Sequence, residues 1–129
     1  MIPFKLSHLD HVALRVRDIG VSVEWYRDTL GLQKFIHPSW GSFPIMMLAG
    51  ESGVALFPLK EIDTNDPQAG PDHFAFRVDD DSFEKVQLHF EEKKIPFTFQ
   101  DHKIFQSIYL KDPDGYTVEL TKQVIEYGN

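Results

Sequence analysis

Two histidines and a glutamate define the chemistry that this 129-residue sequence offers. His11 stands in DHVALRVRD, residues 10–18, and His73 in DHFAFRVDD, residues 72–80. Asp, His, Ala, Arg, Val and Asp recur at a constant offset of 62 residues, six identities in nine positions. A single histidine on a strand is more often a polar residue with local partners than a ligand, and a single glutamate is usually solvated. Repetition in one frame raises the weight of the ligand reading, although it also preserves residues such as Asp10 and Asp72, which read as strand-entry positions. Glu119 is the third member: alternation along the closing strand puts Thr117, Glu119 and Thr121 on one face, with Val118 and Leu120 on the other. Two imidazoles and a carboxylate bind iron(II), manganese or related divalent ions while leaving coordination positions open for a substrate. There is no cysteine, so a thiolate nucleophile and a cysteine-ligated zinc site are excluded.

The elements around these residues follow from the periods. His11, Ala13 and Arg15 share one face of a first strand, and Val12, Leu14 and Val16 the other, which should meet a helix. That helix is predicted after Asp18 as N-cap, running through Trp25 and Tyr26 to Leu30 with Gly31 as its stop. The counterpart is predicted after Asp80 or Asp81, with Glu84 completing a capping box with Asp81, and with Phe83, Val86 and Phe90 as its apolar stripe. Gln33–His37, Phe43–Ala49 and Gly53–Leu59 read as three strands, repeated by Phe97–Gln100, Gln106–Lys111 and Tyr116–Thr121. Asp112, Pro113, Asp114 and Gly115 suit a type I turn in the last hairpin. The fold class is α+β, two tandem βαβββ modules over residues 8–60 and 72–125, joined by the polar linker 61–71 that carries Pro67, Gly70 and Pro71.

Composition sets outer limits. A formal charge of -7 argues against nucleic acid or an anionic membrane surface as partner, since both need a cationic face. No apolar run approaches the roughly 20 residues that cross a bilayer, and MIPFKLSHLD lacks a signal-peptide core, so a cytoplasmic protein acting on a small molecule is expected. Arg15 and Arg77 are candidate anchors for an anionic substrate, with rim salt bridges as the plainer use. Trp40 and Phe43, in HPSWGSFP, are candidate walls for an apolar substrate, together with Phe57 and Phe105. His8, His37 and His89 have no repeat partner and read as surface residues.

Three stretches, HLDHVALRVRDIGVSVEWYRDTLGL, DHFAFRV and SIYLKDPDGYTVEL, resemble the vicinal oxygen chelate superfamily of glyoxalases, bleomycin-resistance proteins and extradiol dioxygenases. The resemblance implies a cup-shaped mixed β-sheet with helices on its outer face. Its metal-ligand positions fall on His11, His73 and Glu119, with iron(II) or manganese favoured and nickel or zinc possible. It also implies a homodimer, because many single-chain members of this length combine modules from two subunits.

Departures from the subfamilies refine the expectation. Glyoxalase I enzymes carry a fourth ligand whose place here is Ala55, or Leu56 if the register slips by one, and neither binds metal. Fosfomycin-modifying enzymes typically have threonine two residues after the first histidine and basic residues beyond the final glutamate; here stand Ala13 and a tail with Lys122 as its one basic residue. The extradiol signature fits better, through His102, Ile108-Tyr109, Asp112-Pro113, Gly115 and Glu119, with Gln100 mismatched at its opening position. It implies that His102 and Tyr109 contact substrate oxygens near the metal, although the further acid-base histidine of such enzymes is absent between His37 and His73. Dioxygenase chemistry is therefore expected first, a metal-free bleomycin-type binding protein second, and glyoxalase-like or fosfomycin-modifying chemistry third.

Overall fold

The computed structural model describes residue 3 and residues 7–59, 73–103 and 105–124. The linker 61–71 and Asp72 lie outside the described residues. The chain divides into two units, Met1–Gly70 and Pro71–Asn129.

The first unit begins with strand β1 (His11–Val16), whose buried Leu14 and Val16 lie on the face that takes a helix. Helix α1 (Ile19–Leu30) starts where Asp18 Oδ1 accepts the Val21 N–H at 3.0 Å, satisfying a donor that has no intrahelical partner. It ends at Gly31, whose φ of 71° is the left-handed conformation that a side chain disfavours, and whose N–H bonds to Arg27 O. Strands β2 (Gln33–Phe35), β3 (Ile45–Ala49) and β4 (Ser52–Pro58) complete a mixed sheet in the order β1-β4-β3-β2, with β1 and β4 parallel and the other pairs antiparallel. Val23 and Tyr26 of α1 share the core with Leu14, Val16, Met47, Val54 and Leu56. Each such side chain removed from water stabilises the unit by roughly 1.5–3 kcal/mol. At Gly53 a Cβ would stand 2.1 Å from Met47 O, so only glycine lets β3 approach β4 there.

The second unit repeats the plan. Strand β5 (His73–Arg77), helix α2 (Asp80–Glu92) and strands β6 (Thr98–Asp101), β7 (Phe105–Lys111) and β8 (Thr117–Gln123) give the sheet order β5-β8-β7-β6 with the same strand directions. Phe83 and Phe90 of α2 are buried, as are Ile108, Leu110, Val118 and Leu120 of β7 and β8. The Gly115 N–H bonds to Asp112 O at 3.0 Å, and Asp112 N–H to Tyr116 O at 2.9 Å, so the expected turn is the tip of the β7–β8 hairpin. The α+β class and the doubled βαβββ order are thus those expected from the sequence.

Local boundaries differ in instructive ways. Helix α2 starts one residue earlier than expected: Asp79, not Asp80 or Asp81, is its N-cap, accepting the Ser82 N–H at 2.8 Å. The repeat explains this, because Asp79 replaces Arg17 and supplies a capping carboxylate one position before the counterpart of Asp18; Asp81 and Glu84 then fall inside the helix and form no capping box. Strand β2 stops at Phe35 rather than His37, and β3 starts at Ile45 rather than Phe43. Continuing their register would set His37 against Pro44, which has no N–H to give. His37 instead caps a single 3-10 turn, Pro38–Trp40, its Nδ1 accepting the Ser39 N–H at 3.2 Å. Among the described residues no helix is long and apolar enough to cross a membrane.

Candidate metal centre

Strand register assigns each candidate to a face. In the first unit His11, Ala13 and Arg15 of β1 lie beside Gly53, Ala55 and Phe57 of β4, and the same face continues through Met46 and Leu48 of β3 to Phe35 of β2. In the second, His73, Ala75 and Arg77 of β5 lie beside Thr117, Glu119 and Thr121 of β8, followed by Ser107 and Tyr109 of β7 and Thr98 of β6. Ala13 pairs with Ala55 as Ala75 pairs with Glu119, so Ala55, and not Leu56, is the counterpart of Glu119.

Glu119 is 4% exposed, which is rare for a carboxylate without partners. It has two. Ser107 Oγ donates to Oε2 at 2.6 Å, and His73 Nε2 stands 3.2 Å from Oε1. Two donors at right angles on one ion, each about 2.1–2.2 Å from it, lie about 3 Å apart. The spacing and the nitrogen–oxygen pair therefore fit two neighbouring ligands of a divalent cation. The two histidine side chains are equally accessible, 43% exposed for His11 and 44% for His73. Asp10 Oδ1 lies 2.8 Å from His11 Nδ1. A carboxylate there holds the proton on Nδ1 and leaves Nε2 as the lone-pair donor, the usual arrangement behind a metal-binding imidazole.

The sequence-predicted residues are brought together in part. His73, Glu119, Tyr109 and His102 gather in the second unit, while His11 belongs to the first. Among the described residues, no three histidine, aspartate or glutamate side chains form a metal-binding group. Tyr109 OH and His102 Nε2 are hydrogen-bonded at 2.8 Å, with the direction set by the imidazole tautomer. Burial, then the neighbouring Glu119 carboxylate, push the Tyr109 phenol above its usual range. Both effects keep it protonated near neutrality. Of the pocket candidates, Phe43 packs edge-on against Phe57 at 6.3 Å, Trp40 against Phe35 at 5.6 Å, and Phe105 beside the His102 ring at 4.8 Å. Arg15 stacks its guanidinium 4.9 Å over Phe57 and donates to Pro58 O, so it is engaged within its own sheet.

Ser107, Thr121 and Asp10 were not singled out as site residues from the sequence. Parity was the available signal for Ser107, which sits two residues before Tyr109 on the same face.

Residues 8–120 match the model of the glyoxalase/bleomycin resistance protein/dioxygenase superfamily. The chain belongs to that superfamily. Similar proteins include the metallothiol transferase FosB of Staphylococcus epidermidis, 26% identical over 119 residues that cover 90% of this chain and 82% of that protein. The glutathione transferase FosA of Serratia marcescens is 29% identical over 116 residues, covering 89% and 80%. Among solved structures, lactoylglutathione lyase from Agrobacterium tumefaciens is 26% identical with a TM-score of 0.73, covering 91% of this chain and 94% of that one. A glyoxalase/dioxygenase from Nostoc punctiforme, 22% identical, shares the superfamily fold with a TM-score of 0.76 over 95% of each chain.

Proposed function

We propose that this superfamily member is a divalent-metal-dependent enzyme acting on a small oxygen-bearing molecule, with transfer of a thiol to an electrophilic substrate as its chemistry. The observation that carries the metal dependence is the buried Glu119 carboxylate, with its Oε1 3.2 Å from His73 Nε2. His11, His73 and Glu119 are the ligands in this reading, and iron(II) or manganese the favoured ions. A divalent ion held there supplies Lewis-acid polarisation and a template for substrate oxygens. Around it, Tyr109 holds a proton at its hydroxyl and shares a hydrogen bond with His102, a pair suited to donating to a substrate oxygen as negative charge develops. Phe43 and Phe57 give the face that bears His11 an apolar wall. The transferase names of the relatives support thiol transfer over the dioxygenase chemistry expected first from the sequence.

Dioxygenase chemistry is the second reading, favoured by the Tyr109–His102 hydrogen bond at the two positions that the extradiol signature assigns to substrate contact. A homodimer in a cytoplasmic setting belongs to both readings.

The test starts with elemental analysis of anaerobically purified wild type and Glu119→Ala. About one iron or manganese per chain in the wild type, lost in the variant, is the expected result. Reconstituted protein is then assayed with fosfomycin plus glutathione or another small thiol, and separately with catechols plus O2. Turnover by metal-free Glu119→Ala would remove the metal from the mechanism. A wild type that no divalent ion fills, yet that binds an aromatic drug saturably, would make the chain a binding protein instead. For the dimer, co-purified His11→Ala and Glu119→Ala chains regain one intact site per dimer if modules of two subunits share it, and none if each chain builds its own.

A further inference from the structure

We infer that Ser107 is a positioning residue for Glu119, occupying Oε2 so that Oε1 remains the oxygen presented to a divalent cation beside His73. The inference rests on the metal-dependent reading above and deepens it.

Ser107 is completely buried on β7, in register with Thr121 of β8 and two residues along the strand from the Glu119 partner Tyr109. Its oxygen lies 2.6 Å from Glu119 Oε2 and 2.9 Å from Thr121 Oγ1. A hydroxyl has a single proton to give, and a buried carboxylate is a stronger acceptor than another hydroxyl. Ser107 therefore donates to Glu119. Thr121 then donates either to Ser107 at 2.9 Å or to the Gln106 carbonyl at 3.4 Å, and the shorter contact gives a relay from Thr121 through Ser107 to Glu119. A relay of this kind strengthens the final bond, because each donor is polarised by the one behind it.

The consequence concerns which oxygen is free. The terminal torsion of a glutamate is broad and roughly two-fold, so an unheld carboxylate exchanges its two oxygens or turns both toward a cation. With Oε2 bonded to Ser107, Oε1 is the oxygen that stands beside the His73 imidazole, at 3.2 Å from Nε2. Hydrogen-bond partners behind metal ligands typically contribute 10–100-fold in affinity. A packing role for Ser107 makes a different forecast. Serine and alanine differ little in volume, so loss of the hydroxyl would then change little, whereas the extra methyl of threonine would strain a fully buried site.

Manganese(II) is the probe, titrated into the full-length metal-free chain under anaerobic conditions, with thermal unfolding of each metal-free protein as the fold control. Ser107→Ala should bind manganese(II) about 10–100-fold more weakly than wild type, and Ser107→Thr within about threefold of it. Thr121→Val, which removes only the outer donor, should fall between wild type and Ser107→Ala. The electron paramagnetic resonance line shape of bound manganese(II) should change in Ser107→Ala and be restored in Ser107→Thr. Equal affinity in wild type and Ser107→Ala would overturn the inference while leaving the metal site standing. So would a threonine variant that folds as wild type yet binds as poorly as alanine. Should Ser107→Ala not fold, Ser107→Cys keeps a donor in place, a weaker and somewhat larger one: in a variant that folds as wild type, weakened binding supports the inference and unchanged binding overturns it. A wild type that binds neither manganese(II) nor iron(II) defeats both this inference and the metal-dependent reading beneath it.

Discussion

The two units share a chain path but differ in how many polar groups they carry on the face of their repeated histidine. On the face that bears His11, the neighbours across the first sheet are Ala13, Ala55, Met46, Leu48, Phe57 and Phe35, with Arg15 and Gln33 as its other polar side chains. On the corresponding face of the second sheet, His73 is followed by Glu119, Thr117, Thr121, Ser107, Tyr109 and Thr98. Both copies keep a histidine and an arginine on this face; the first is otherwise mostly apolar, whereas the second adds a carboxylate, a phenol and several hydroxyls. The lesson is that after doubling, a carboxylate on this face has been kept in one copy only, at Glu119, where the other has Ala55. The other copy is then released to carry apolar contacts.

The largest expected effect is at the paired positions Glu119 and Ala55. On the proposed ligand set, Glu119→Ala should lower metal affinity at least about 100-fold, while Ala55→Ser leaves it unchanged within error. Metal titration of both proteins checks this. A substantial loss in Ala55→Ser would mean that the first unit's closing strand takes part in the site after all.

The next contrast lies behind the strands. Leu14 is 1% exposed, whereas its repeat counterpart Phe76 is only half-buried and packs against Phe74 at 6.1 Å between ring centres. Leu14→Ala should destabilise by about 3 kcal/mol, and Phe76→Ala, although it removes more atoms, by about 1–2 kcal/mol. Denaturant unfolding of the two variants compares them directly. Equal losses would break the contrast, and would show that Phe76 is covered in solution by another surface.

A smaller effect separates the histidines. Asp10→Ala removes the acceptor behind His11 Nδ1, and metal affinity should fall about tenfold, less than for removal of a ligand. Asp10 is itself 77% exposed, so water replaces part of what is lost.

These contrasts also mark what could be read without coordinates. The repeat exposed His11 and His73, and alternation placed Glu119, because both signals are periodic and survive in one dimension. The N-cap at Asp18 and the stop at Gly31 were legible for the same reason, each being a single residue whose backbone demand is local. Ser107 was not, since its importance comes from a 2.6 Å contact with a residue twelve positions away, and nothing in a serine's identity announces a buried donor. The early start of α2 was missed because Asp79, Asp80 and Asp81 are all competent caps, and the backbone's departure from β5 decides among them. His37 is exposed, as expected, but it does not end a strand: the proline at position 44 ends the pairing, and the imidazole caps the 3-10 turn instead.

The smallest effect tests the offset between the two helix starts. Asp79 lies below the usual carboxylate range, first because the Ser82 backbone N–H donates to it, and then because the Ser82 side chain adds a further hydrogen bond. A carboxyl group depressed in the folded state stabilises the fold above its unfolded value, near the ordinary 3.8, and that contribution is lost as pH falls through the lower folded value. Asp79→Asn keeps an oxygen that caps the helix but removes the titration. The wild type should therefore unfold at a slightly higher temperature than Asp79→Asn at neutral pH. The gap should close on acidification below about pH 4, where the wild-type carboxyl takes up its proton and resembles the amide. A gap that stays constant from neutral pH down to pH 2 would mean that the charge at Asp79 contributes nothing, and that the helix begins there because of backbone geometry alone.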